Sequence, residues 1–500
     1  MIIDKIKFGV SSMRKKTVMI IMCIAILFMI VGYAAFSANL NINGTANIAS
    51  TWQVLFTKIE EVSKSSGVTI KSAPTASGTT ATFNLDVQFP GDTIVYKITV
   101  ENQGTIDAII NDITASKAGN DAIKFNITGI KKGDILTKGT STTFNVEITY
   151  DINTTKQPTD LNEALTMEIN YIQYAGQDVP SEDIMIKPRR LGLKILNDNT
   201  ALPDTNIDFS QISSDTNGKG LYYTNKNTED NKITYYFRGA VENNYVKFAN
   251  ELWRIIRINE DGSVRLIKQV SLEKTEFNET ATDNAHVGYM FGTAGSTTYE
   301  ETHKNINSST IKSKIDTWYQ NNLINYSSVI ADAGFCGDRT IAPTAKTWNA
   351  SDTALGYGSN FTVYGALARL MPVYGPSGVN PEFKCPQEND LYTTITSDKG
   401  NKALTYPVGL ITADEVIYAG IVNDAVNDTC YLHIGVESWT MSPSYSGAIS
   451  RMWYVGGNGS IGYGRITYEW FVRPVINMKS TVEITSGDGT EISPYVIKTN

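Results

Sequence analysis

Residues 80–102 read TATFNLDVQFPGDTIVYKITVEN, and this stretch decides the fold of the first part of the chain. On either side of Phe89-Pro90-Gly91-Asp92, apolar and polar residues alternate. That is the pattern of strands whose successive side chains point to opposite faces, one of them buried. Pro90 presets its own φ and Gly91 tolerates positive φ, so the four residues predict a tight turn that delivers the chain into a strand. The alternation returns in STTFNVEITYDI at 141–152 and ALTMEINYIQY at 164–174. Between residues 39 and 177 strands follow too closely for helices to intervene. About seven short strands over that length predict an immunoglobulin-like β-sandwich.

Upstream, Arg14, Lys15 and Lys16 precede an uncharged apolar run from Thr17 to Phe36. A run of about twenty such residues spans a bilayer as one helix. Residues 1–16 are therefore expected to be a basic cytoplasmic segment and residues 17–36 a transmembrane or signal helix, with the membrane as partner. The small residues around Ala34, Ala35 and Ser37 also suit cleavage by a signal peptidase, so retention and removal both stand. The expected location is the outer face of the cell membrane, or the medium after cleavage.

The chain has 500 residues, 41% of them apolar, with 26 Tyr and 7 Trp, enough for two or three domains with cores of their own. Its net charge is −8, and its N-terminal segment is basic, so the remainder is more acidic still. Nothing after the apolar run forms a Lys/Arg stripe, which excludes nucleic acid as a partner.

Residues 178–190 carry two prolines and alternating charges, and are expected to be a linker. Residues 191–500 read as an α+β domain with few helices. Strands are predicted in YYFRGAVENNYVKFANELWRIIRINEDGSVRLI at 235–267, with Asp261-Gly262 as a two-residue hairpin turn. Helices are predicted at 308–321, behind a Ser cap, and at 412–420, where Asp414 and Glu415 fall in the first turn.

Candidate chemistry is sparse. The three histidines, His286, His303 and His433, show no metal-ligand spacing, and no CxxC is present. Cys336 and Cys385 both sit at the edges of Gly/Pro-bearing loops in an oxidising compartment and are expected to form a disulfide. Cys430, in an apolar setting, is then a buried thiol. No Ser or Cys stands in a nucleophile motif, so no catalytic residues are assigned. No cofactor is expected; calcium is the one metal left open, through oxygens of Asp215-Thr216-Asn217-Gly218 and Asp488-Gly489, although neither continues into a twelve-residue loop ending in Glu. Aromatics cluster among glycines late in the chain, and Trp439, Trp453, Tyr454 and Tyr463 are the candidates for facing a ligand. Trp470 and Trp253 are expected in the core.

Two resemblances accompany these readings. YAAFSANLNINGTANIAS at 33–50 with PGDTIVYKITVENQGTIDA at 90–108 resembles the secreted biofilm-fibre and camelysin-like proteins of Gram-positive bacteria, which implies a signal cleaved near Ala35 and a sandwich with a Pro-Gly-Asp turn. GKGLYYT at 218–224, LTYPVGLITADEVIYAG at 404–420, SWTMSP at 438–443, VRPVIN at 472–477 and GDGTEISPYVI at 487–497 resemble an uncharacterised ectodomain family of Gram-positive surface proteins. Its order of elements is similar to that of C-type-lectin-like and formylglycine-generating-enzyme-like folds. The expectation is a non-catalytic cell-surface protein that binds a glycan or a surface protein, in adhesion or in an extracellular fibre. An extracellular enzyme related by fold to formylglycine-generating enzymes and a structural fibre subunit are the alternatives.

Overall fold

The computed structural model describes residues 50–499 except 121, 159–160, 183, 343–354 and 372–377. The basic segment expected at 1–16 and the transmembrane or signal helix expected at 17–36 lie outside the described residues. Among the described residues no helix is long and apolar enough to cross a membrane. The chain is mostly β, with 38% strand against 11% helix, distributed over several sheets.

The turn at Phe89-Pro90-Gly91-Asp92 closes through Asp92 N, which donates to Phe89 O at 2.9 Å, with Gly91 at φ +97°. The Asp92 carboxylate then accepts from Phe89 N at 2.8 Å and Gln88 N at 3.1 Å, which fixes the entry into the next strand. In that strand, Thr93–Asn102, the alternate residues Ile94, Tyr96, Ile98 and Val100 are buried. It runs antiparallel between Val54–Lys64 and Ser141–Tyr150, and Ile123–Thr128 lies outside the latter. In a second sheet Ala108–Lys117 pairs along its length with Leu165–Gln173. Ala108, Ile110 and Leu136 pack with Ile94, Phe144, Val146 and Ile148 in one core. Burying each large apolar side chain there stabilises by about 1.5–3 kcal/mol.

The stretch expected as a linker is partly built into this sheet. Ile186–Pro188 pairs in parallel with Ala115, Ser116 and Lys117. Arg189 then donates from Nη1 to Ser116 O at 3.1 Å and Thr166 Oγ1 at 2.8 Å, while its Nε meets Glu483 at 3.4 Å. Its two prolines disguise the segment, because the three-residue strand uses one edge only and Pro188 ends it.

Beyond residue 189 a ten-stranded and a six-stranded sheet share one core. Trp253, Ile255 and Leu266 come from the first; Trp439, Met441 and Trp453 come from the second. The helix Thr310–Asn322 starts where Ser309 Oγ accepts from Lys312 N at 3.3 Å, and it buries Ile311, Ile315 and Tyr319. The helices Leu191–Asp198 and Gly365–Leu370 have neither a side-chain N-cap, the signal read at 308–321, nor an acidic first turn, the signal read at 412–420. Between Glu251–Ile258 and Val264–Lys268 the loop is longer than the expected two residues. Gly262 N donates to Asn259 O at 2.9 Å and Asn259 N to Ser263 O at 2.8 Å, so the turn centres on Glu260-Asp261, with Gly262 at φ +80° as a bulge.

Candidate functional site

A cleft of about 500 Å³ opens where those two strands meet the helix Ala413–Tyr418 and the loops 332–338 and 382–399. Small-ligand sites have volumes of roughly this order.

One side of it starts from two arginines on neighbouring strands. Arg257 and Arg265 are cross-strand partners, an arrangement that repels unless a counter-charge intervenes. Glu415 supplies it: its Oε1 takes Arg257 Nε at 2.9 Å and Arg265 Nε at 2.7 Å. Its Oε2 accepts from Thr412 N at 3.0 Å, while Thr412 Oγ1 accepts from Glu415 N at 3.1 Å, a capping box that orients the carboxylate. Burial pushes Glu415 up, but the two arginines more than offset this and hold it below its usual range. Burial lowers Arg265 to about 10, with Glu415 opposing, so the guanidinium is charged at neutral pH. Arg265 also donates to Gly334 O at 3.1 Å and Leu410 O at 3.3 Å. Arg257 is less fully engaged. Its guanidinium lies 4.8 Å from the Phe383 ring centroid, and its Nη1 has no hydrogen-bond partner among the described residues, the Glu260 carboxylate being 3.9 Å away.

The other side inverts this ratio. Arg369 takes Asp414 in a two-pronged pair at 2.7 and 2.8 Å, and its Nη1 meets Asp338 at 2.7 Å and Glu382 at 3.1 Å. Three carboxylates thus share one guanidinium. Asp414 also accepts from Glu382 N at 3.0 Å, and Asp338 holds φ +30°, a strained backbone for a non-glycine. Burial pushes Glu382 up to about 7; Arg369 opposes this, and Asp414 and Asp338 add to it. Glu382 can therefore take or release a proton near neutrality.

A disulfide ties the two loops of this side together. Cys336, two residues before Asp338, is bonded to Cys385, three residues after Glu382, and Cys385 N donates to Glu229 Oε1 at 2.7 Å. Comparison with protein-family models, curated proteins and solved structures finds no match. The site itself must carry the functional reading.

The aromatic candidates do not line this cleft. Trp439 and Trp453, expected to face a ligand, are corrected to core residues, 1% and 0% exposed. The sheet is covered on both faces here: Trp439, the cross-strand partner of Tyr454, donates from Nε1 to Thr275 O at 2.9 Å and packs 4.3 Å from Trp470, and Trp453, on the opposite face, meets Tyr463 edge-on at 5.6 Å. Tyr454 and Tyr463 are half-buried, Tyr454 against Trp470 at 4.0 Å and Tyr463 against Tyr445 at 5.6 Å. Cys430 is buried, its Sγ donating to Ala419 O at 3.3 Å, and burial pushes the thiol up to about 11 against its backbone hydrogen bonds and Arg238 and Arg254. Neither Cys336 nor Cys430 offers a thiolate.

The loops considered for calcium spend their oxygens and amides locally. Asn217 Nδ2 donates to Asp208 O at 2.9 Å and Ile212 O at 3.0 Å, and Asp488 Oδ1 accepts from Thr490 N at 3.1 Å. Among the described residues no group of three or more His, Cys, Asp or Glu side chains is arranged to hold a metal. The network residues Arg257, Arg265, Arg369, Asp338 and Glu382 were not singled out from sequence. Their one legible signal was the Thr412–Glu415 capping-box spacing, which marks the helix start and says nothing of the arginines.

Proposed function

We propose that this chain is a non-catalytic bacterial cell-surface protein: an immunoglobulin-like stalk at 39–177 carries a lectin-like α+β domain at 191–500, which takes its ligand in the charged cleft. The observation that carries the reading is the pair of opposed networks, Arg257 and Arg265 on Glu415 and three carboxylates on Arg369, at the mouth of one cavity. Buried charges are costly to desolvate, and holding them in place before a ligand arrives lowers the cost of binding. The disulfide and the two sheets supply the rigidity this needs. A glycan and matrix-protein array probed with the full-length chain and with Arg257→Met tests it: a signal lost in the variant supports the reading, and silence across the array counts against it.

A second reading, the fibre subunit, draws on the first part of the chain. Thr80–Val87 pairs only with Val68–Ser77, and Ile123–Thr128 only with Ser141–Tyr150, among the described strands. A groove of about 820 Å³ lined by Phe83, Leu85, Val87, Ile123 and Phe125 lies at these edges. Unpaired edges beside apolar surface favour strand addition between copies. Electron microscopy of the concentrated full-length chain tests this, with filaments as the supporting result and monodisperse particles as the opposing one.

A further inference from the structure

We infer that the cleft binds a small zwitterion, its carboxylate on Arg257 and its ammonium on Glu382. This rests on the reading of the cleft as the ligand site. It follows from what each side leaves unanswered: Arg257 and Arg265 share Glu415, with Glu260 no nearer to Arg257 than 3.9 Å, whereas three carboxylates share Arg369. A ligand of one sign meets repulsion from one side or the other; a ligand with both signs answers both.

The two groups named are the more exposed arginine of one network and the most exposed carboxylate of the other. Arg265 is 1% exposed, pairs with Glu415 and donates to Gly334 O and Leu410 O, whereas Arg257 is 12% exposed and keeps Nη1 without a hydrogen-bond partner among the described residues. Asp414 is saturated by both prongs of Arg369 and the amide of Glu382, and Asp338 is 3% exposed. Glu382 is 25% exposed and meets Arg369 at the longest of its carboxylate distances, 3.1 Å. Both groups line the same cleft of about 500 Å³, and Phe383, the residue next to Glu382, stacks 4.8 Å from the Arg257 guanidinium. One small molecule can therefore bridge them. The planar fork of a guanidinium is the preferred partner of a carboxylate, and a carboxylate that retains exposure is the natural partner of an ammonium. A metal ion is a poorer answer, since the guanidinium of Arg369 already occupies the focus of the three carboxylates.

Free amino acids and short peptides both carry this chemistry, and the experiment separates them. Calorimetry of the full-length chain uses L-alanine, L-alanyl-L-alanine, the N-acetylated dipeptide and the dipeptide amide. The expected result is binding of the alanine or the dipeptide, weakened about tenfold or more by acetylation, by amidation, by Arg257→Met and by Glu382→Gln. Arg257→Lys, which keeps the charge without the fork, restores part of the affinity, and thermal melts show that each variant is folded. Equal affinity for blocked and free probes, or no binding of either zwitterion, overturns the inference. If a neutral glycan binds and loses affinity in Arg257→Met, the zwitterion is wrong and the cleft stands; if no ligand on the array responds to either substitution, the cleft falls too.

Discussion

Asp414 and Glu415 are adjacent in the first turn of one short helix, yet they serve different arginines: Asp414 grips Arg369, and Glu415 takes Arg257 and Arg265. Successive helical residues diverge around the axis, so one turn of helix can anchor both sides of the cleft. The cap at Thr412 orients the two networks as a unit.

Glu415→Gln keeps the capping geometry and removes the charge. Arg265 then loses its carboxylate partner and Arg257 keeps Glu260 alone, at 3.9 Å, at a cost of about 3–5 kcal/mol. Denaturant unfolding checks this; a change under about 1 kcal/mol would show that the arginines find other partners.

The raised pKa of Glu382 has a definite linkage sign. Its folded value is about 7, against an ordinary value of 4.5, so the folded state binds more proton between those limits. Stability contributed by this residue is present below about pH 4.5 and is lost as pH rises through about 7, by on the order of 2 kcal/mol. The difference between wild type and Glu382→Gln isolates it: the variant gains relative to wild type as pH rises from 4.5 to 7. A difference independent of pH would show that Glu382 titrates normally.

Breaking the Cys336–Cys385 bond by Cys385→Ser releases a closed loop spanning 49 residues of separation and costs about 2–4 kcal/mol. It also loosens the loop that carries Glu382, so ligand binding weakens along with stability. Cys430 is buried and stays unreactive to alkylation until the chain is unfolded. Rapid native labelling at Cys430 would contradict its placement.

Trp453→Ala costs about 3–5 kcal/mol, because a fully buried indole leaves a cavity. Tyr454→Ala, on a half-buried ring, costs less. Chemical denaturation of the pair ranks them; equal and small losses would place Trp453 at the surface.

Local patterns were legible in the sequence where one element decides its own form. Ile94, Tyr96, Ile98 and Val100 announce a strand by alternation, Pro90 and Gly91 a turn by their two special backbones, Ser309 the helix near 310 by its cap, and Asp414 and Glu415 the helix near 413 by their acidic first turn. The cleft was not, because Asp338, Glu382 and Asp414 meet at Arg369 from widely separated loops and no spacing connects them. Cross-strand pairing of Arg257 with Arg265 depends on register, which the hairpin loop shifted away from its expected turn. Burial of Trp439 and Trp453 likewise depends on both faces of the second sheet being covered, which neither strand announces by itself.

The most direct test of the central claim, that the cleft is the ligand site, is hydrogen–deuterium exchange of the full-length chain with and without the ligand that binds it best. The account predicts protection concentrated in residues 332–338, 382–399 and 412–418. Protection confined to the aromatic strands at 451–472, or to residues 54–173, would contradict it.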